Sequence, residues 1–349
     1  MKELTTELIE QIKANPEKQD WGKLCSQYKL SEEFIREHKN LVWWEYISQY
    51  QKLSEEFIHE HKKLVDWYCI SNYQKLSEEF IREHKNLVDW GCISINQKLS
   101  EEFIREHKDL VNWWNISQYQ KLSEEFIREH KKLVNWNYIS YYQKLSESFI
   151  REYKDLVDWE CISINQKLSE SFIREHKGLV VWYYISKYQK LSESFIREHK
   201  VLVNWGCISE YQKLSESFIR KFNLTISENS WLYKSDQEKE EYIRNNTDYE
   251  IRDGNVVAYK TCRSDGYSKF NFQYLYEVGN EYESHADYNS DNENSFGLSA
   301  WTKEGALEYC SDGRLFEVEI PLEDLACVVH DGKKIRASKM RIVRELEVD

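Results

Sequence analysis

Tryptophan returns every 23 residues, at Trp21, Trp44, Trp67, Trp90, Trp113, Trp136, Trp159, Trp182 and Trp205, without a slip in register. Self-similarity at a fixed period of this length is the signature of a solenoid, in which each unit stacks on its neighbours. The unit from Asp66 to Val88 reads DWYCISNYQKLSEEFIREHKNLV and holds two helix starts of one design. Asp66 stands as N-cap of the first, with Val65 and Ile70 as the ends of a hydrophobic staple. Ser77 caps the second, with Leu76 and Ile81 as its staple. The first cap is Asp or Asn in seven copies, Trp43 and Val181 being the exceptions, and the second is Ser in all nine. The spacing predicts a hairpin of two short helices, A from Trp67 to about Gln74 and B from Glu78 to about Leu87. Trp67, Ile70 and Gln74 form the stripe of A; Phe80, Ile81, His84, Leu87 and Val88 form that of B. Neither stripe is buried by one hairpin alone, so the copies must lean on one another.

The ends of the array depart from the pattern, as terminal copies in solenoids do. Leu4 to Ile9 aligns with Leu30 to Ile35 and predicts an N-terminal capping helix within residues 1–20, ending near Asn15-Pro16. Nine helical-hairpin repeats fill residues 21–226. Residues 227–245 form a degenerate C-terminal capping hairpin, in which Trp231 stands at the Ile70 position and Ser235 with Glu238 makes a capping box. From residue 246 to 349 alternation replaces the helical period. Asp253-Gly254 marks a hairpin turn, strands are expected at Phe270 to Val278, Leu315 to Ile320, Ala326 to His330 and Ile335 to Leu346, and a helix starts at Thr302. The expected fold class is an all-α solenoid of short helical hairpins followed by a small α+β domain.

A net charge of −13 argues against nucleic acid as the main ligand, because phosphate backbones are met by basic stripes. The eight cysteines include no CxxC pair, and four of them (Cys69, Cys92, Cys161 and Cys207) share one repeat position that other copies fill with Tyr, Asn or Lys. That distribution reads as reduced thiols in a cytoplasmic setting, with the nucleus or a virion as alternatives. No apolar run reaches membrane-spanning length, and the first residues lack a signal-peptide core.

The repeat text YQKLSEEFIREHKNLVDW resembles uncharacterised repeat proteins encoded by large DNA viruses of amoebae. The tail, through Ala258-Tyr259-Lys260, Tyr276 to Gly279 and NSFGLSAWT from Asn294 to Thr302, is similar to a small domain of unknown function that also closes pentapeptide-repeat proteins. The resemblance implies a viral protein acting inside a host cell and carries over no catalytic residue.

Two sets of side chains are candidates for function. On helix A, the position after Trp and the one four further on share a face and vary freely between copies; they supply Tyr68, Trp114, Tyr141 and Tyr183. An adjacent row adds Tyr119, Tyr142 and Tyr188. Tyr, Asn and Gln on rigid helices offer contact area at low entropic cost, as antibody paratopes do. The expectation is a non-enzymatic scaffold that binds a protein partner through this face; the competing reading packs the Tyr row between successive helices. In the tail, Lys260, Ser299, Glu317 and Glu319 follow an order similar to the basic, Ser, Glu succession of ADP-ribosyltransferase-like domains, which gives a transferase as the alternative function. A structural virion component is a further alternative. The row His38, His61, His84, His107, His130, His176 and His199 becomes Tyr153 and Phe222 in two copies and so reads as packing, while His285 and Asp287 read as surface polar residues. No cofactor and no metal is expected.

Overall fold

A computed structural model of the chain describes residues 1–269, 274–309 and 313–347. The chain divides into two compact units, Met1–Asn135 and Trp136–Asp349.

In the first unit, Thr5 caps a helix from Thr6 to Ala14, and the A helices Trp21–Gln27, Trp44–Tyr50, Trp67–Tyr73, Trp90–Asn96 and Trp113–Tyr119 follow at the period of the repeat. Each alternates with a B helix such as Glu55–Glu60 or Glu78–Glu83. The predicted caps form: Asp66 Oδ1 accepts from Cys69 N at 2.8 Å, and Ser77 Oγ from Phe80 N at 3.2 Å. Ile70 and Ile81 are fully buried, with Leu76, Phe80 and Val88 nearly so.

Helix B is a turn shorter than expected. His84 sits at φ −107°, ψ 23°, in the bridge region that ends a helix, and Leu87 N turns back to His84 O at 2.8 Å. That turn swings Leu87 outward, leaving it 44% exposed instead of anchoring the core.

The contact that joins repeats is a buried amide. Gln74 reaches back into the preceding repeat: Nε2 donates to Ser48 O at 2.8 Å and to Gln51 O at 2.7 Å, while Oε1 accepts from Leu53 N at 3.1 Å. The two carbonyls belong to the C-terminal turn of helix A in that repeat, where no intrahelical donor remains, so the side chain acts as a helix cap from the next repeat. Ser48 completes the joint, its Oγ donating to Trp44 O and accepting from Asp66 N. Gln51, Gln97 and Gln120 repeat the arrangement. Outside this ladder, Arg82 pairs with Glu106 of the next repeat at 2.7 Å and lies over the Phe103 ring.

The second unit begins with A helices Trp136–Tyr142, Trp159–Asn165, Trp182–Tyr188 and Trp205–Tyr211 on the same plan. The ladder ends on a substitute: Tyr233 Oη accepts from Leu214 N and donates to Gln212 O, the two roles a glutamine amide fills elsewhere. Of the expected capping hairpin, only the second helix forms. Trp231–Tyr233 is a single 3₁₀ turn, and helix α1 (Asp236–Asn246) carries the Ser235–Glu238 capping box. Both Trp231 and Ile243 are buried in the core of the tail, so this segment packs with the sheet that follows it.

That sheet has eight strands: β1 (Glu250–Arg252), β2 (Asn255–Cys262), β3 (Glu281–Glu283), β4 (Leu298–Trp301), β5 (Arg314–Pro321), β6 (Leu325–Val329), β7 (Lys334–Ala337) and β8 (Lys339–Leu346), with helix α2 (Lys303–Tyr309) between β4 and β5. Every pairing is antiparallel, in the order β3-β8-β5-β2-β4-β7-β6, and β1 pairs with β2 through the expected Asp253-Gly254 turn, both residues at positive φ. The strand expected at Ile335 to Leu346 bends at Ser338 into β7 and β8, which lie four places apart in the sheet; the sheet must therefore curl so that one segment serves both ends. Of the strand expected at Phe270 to Val278, residues 270–273 lie outside the described residues, and from Tyr274 onward there is only an isolated bridge from Leu275 to Tyr267.

Seven cysteines are buried as free thiols; Cys310 lies outside the described residues. Burial pushes Cys69 and Cys92 up to about 11 and Cys161 to about 12, which keeps them protonated and unreactive. Among the described residues no helix is long and apolar enough to cross a membrane.

Candidate functional site

The helix A face behaves differently along its length. In the first unit Tyr68 is 59% and Trp114 55% exposed, Tyr73 is open to solvent, and Tyr119 is half-buried. Polar bonds also run between successive copies on the exposed surface, as Asn96 Nδ2 to Asn72 Oδ1 at 2.8 Å. In the second unit Tyr141 and Tyr183 are exposed, Tyr142 and Tyr188 half-buried, and Tyr211 buried.

Tyr211 is buried because the tail sits on it. Phe296 packs edge-on against Tyr188, ring centroids 4.7 Å apart, and at 5.4 Å from Tyr211. Lys187 Nζ lies 5.1 to 5.5 Å from the centres of Tyr188, Tyr211 and Phe296, so one ammonium meets three aromatic faces. Asn289 and Asn292 donate to Glu210 Oε1 at 3.4 and 3.3 Å. Lys187 and Glu210 both occupy the variable position four residues beyond the one that follows Trp.

The loop that carries Phe296 is held from below. Arg336 is fully buried; its Nη1 donates to Asp287 O at 2.8 Å and lies 3.6 Å from Asp287 Oδ2, and its Nη2 donates to the Asn292 and Glu293 carbonyls. Asp287 is thus the buried partner of an ion pair, not the surface residue its neighbourhood suggested. Gly297, at φ 127°, lies against Arg336; a Cβ there would come within 2.8 Å of Arg336 Cγ, so glycine sets how Phe296 is presented. His285 stacks on Phe296 at 5.5 Å, its Nε2 has no hydrogen-bond partner among the described residues, and burial pushes its imidazole down to about 4.

Beside this contact lies a cavity of about 1240 Å³, walled by Tyr188, Tyr211, Lys260, Tyr276 and Trp301 among others. Seven lysines line it (Lys167, Lys190, Lys213, Lys260, Lys269, Lys334 and Lys339) against three carboxylates (Glu283, Glu323 and Asp324), an inversion of the chain's overall sign. Lys260 Nζ donates to Ser299 O at 2.7 Å, 4.8 Å from the centre of the Tyr276 ring, and burial lowers its ammonium to about 8. Lys334 lies over Trp301.

The four tail residues suggested by the transferase-like order do not share one site. Lys260 pairs in register with Phe316, on the core face of the sheet, and reaches Ser299. Glu317 and Glu319 alternate with that face, opposite Tyr259 and Val257. Burial pushes the Glu317 carboxyl up, but Arg344 at 2.6 Å and Arg252 at 3.4 Å outweigh it and hold the carboxyl below its usual range. The cavity was not readable from sequence, since its lysines come from separate repeats and strands. Lys187 and Glu210 belong to the variable row of helix A, but their contacts with the tail were not readable from that row.

No family model, curated protein or solved structure matches the chain.

Proposed function

We propose that the chain is a non-enzymatic scaffold whose helix A face binds a protein partner, and that the partner presents an aromatic side chain flanked by amides. One observation carries this reading: the last two repeats already hold such a segment, with Phe296 on Lys187, Tyr188 and Tyr211 and Asn289 and Asn292 on Glu210. Copies in the first unit keep the same frame and offer Tyr68, Tyr73 and Trp114 to solvent. Tyr and Trp dominate the energetics of protein interfaces, so their exposure at a position that varies between copies suits selection of a partner. The test compares capture of proteins by the full chain and by Y68E/Y73E/W114E, whose changes are all at exposed positions. The reading predicts that a specific partner is lost while the melting temperature stays unchanged; retention of all partners by the variant contradicts it.

The cavity supports a second reading. Seven lysines and several aromatic rings suit a small anionic ligand with a planar ring. Calorimetry of the full chain with ADP and with NAD tests it: binding that weakens in K260M and in K334M supports an anion site, and no heat with either ligand contradicts it.

A further inference from the structure

One repeat breaks the ion-pair pattern of helix B. Eight copies carry Arg at the position of Arg36, Arg82 and Arg105, whereas the second carries His59. Where Arg82 reaches Glu106 of the next repeat, His59 reaches both Glu83 and His84. His59 Nδ1 lies 3.0 Å from Glu83 Oε1 and 3.2 Å from His84 Nε2, and the three ligand atoms all fall within 4.8 Å of one another.

The protonation pattern leaves the centre of this cluster to a single hydrogen. His84 Nδ1 is 3.0 Å from Phe80 O, and since a carbonyl only accepts, Nδ1 must donate. Neutral His84 therefore turns the lone pair of Nε2 toward His59. Its ring is fixed by stacking on Phe80 at 4.2 Å and Trp67 at 5.2 Å. A backbone carbonyl that holds the far nitrogen and a packed ring are what orient a histidine ligand. Glu83 also points an acceptor at His59 Nδ1, so one N–H serves two acceptors. If His59 carries its proton on Nε2 instead, three lone pairs converge with no hydrogen between them.

We propose that His59, Glu83 and His84 bind a divalent first-row transition ion, with Zn²⁺ the best match to two imidazoles and a carboxylate. Metal–ligand bonds of about 2.0–2.2 Å in a tetrahedron separate neighbouring ligand atoms by about 3.3 Å, close to the two short distances here; the third closes by rotation of the exposed Glu83 side chain. His59 and Glu83 line a cleft of about 470 Å³ together with Glu55, Glu56 and Glu79, whose charge favours a cation and which leaves room for water or a further oxygen ligand. The substitution of His for Arg removes a fixed positive charge from that acidic surface, and the ion restores it while linking two consecutive repeats. Among the described residues this is the one His, Cys, Asp and Glu cluster with such geometry.

The protein's own repeats supply variants suited to the fold: H59R restores the residue of the other copies, and H84Y installs the residue found as Tyr153. Calorimetry of the full chain with ZnCl₂ is expected to give one tight equivalent, and Co²⁺ to give the visible absorption of a four-coordinate N/O site. In H59R and in H84Y the affinity should fall about a hundredfold while the other nine histidines stay unchanged. In the unaltered chain, the imidazole resonances of His59 and His84 should shift on zinc addition, a readout that needs no variant. Absence of a tight equivalent, its survival in either variant, or shifts confined to other histidines overturns the proposal.

Discussion

Replacing Gln74 by Met keeps the volume of the side chain and removes the amide. Three buried backbone groups lose their partner: the Leu53 N–H at 3.1 Å and the Ser48 and Gln51 carbonyls at 2.8 and 2.7 Å. A buried polar group left unpaired costs about 1–3 kcal/mol. Carbonyls relax more readily than an N–H, so the lower half of that range applies and the sum over the three groups is roughly 3–6 kcal/mol. The exposed neighbour Lys75 is the control, since K75M should stay within about 0.5 kcal/mol. Repeat arrays need not unfold in one step, so the readout is amide exchange at Leu53 and its neighbours along with urea denaturation. Q74M should expose the Leu53 amide and lower the stability of the first unit by the stated amount. If Q74M costs less than about 1 kcal/mol and Leu53 stays protected, the glutamine ladder is not what joins the repeats.

Three other outcomes follow from the second unit. R336M strands the buried Asp287 carboxylate and frees the loop that carries Phe296, and thermal melts should show a loss of about 3–5 kcal/mol. Because burial holds His285 near 4 instead of its ordinary value near 6.5, the unfolded chain takes up a proton between those values and the folded one does not. Stability of this unit should therefore fall by about 3 kcal/mol as pH drops from 6.5 to 4, and urea titrations of H285N should lose that slope. Y233F removes the hydroxyl that ends the ladder and should cost about 1–2 kcal/mol, measured by exchange at the Leu214 amide.

The array was legible because its signals are local. Ser77 with Phe80 and the staple of Leu76 with Ile81 lie within a few residues of one another, and the Trp period repeats that local text every 23 residues. What the sequence hid depends on geometry between repeats. Gln74 reads as one more member of an amphipathic stripe, and only the register of two helices reveals it as a cap for a neighbour. Leu87 fits a helical period that His84 interrupts by its backbone angles. In the tail, β3 and β4 are three and four residues long and show too little alternation to stand out, and Ser338 hides a corner inside what reads as one strand. Asp287 looked superficial because its partner Arg336 is 49 residues away. Variation at the helix A positions was visible in the sequence because variation on a fixed frame needs no long-range contact to be seen; what those positions touch was not.

The most direct measurement is photo-crosslinking in the cells that naturally contain the chain, with benzoylphenylalanine placed singly at Tyr68, at Trp114 and at Glu102 of helix B. If helix A presents the binding face, one protein is trapped from Tyr68 and Trp114 and not from Glu102. Equal trapping from all three positions, or from Glu102 alone, contradicts the account.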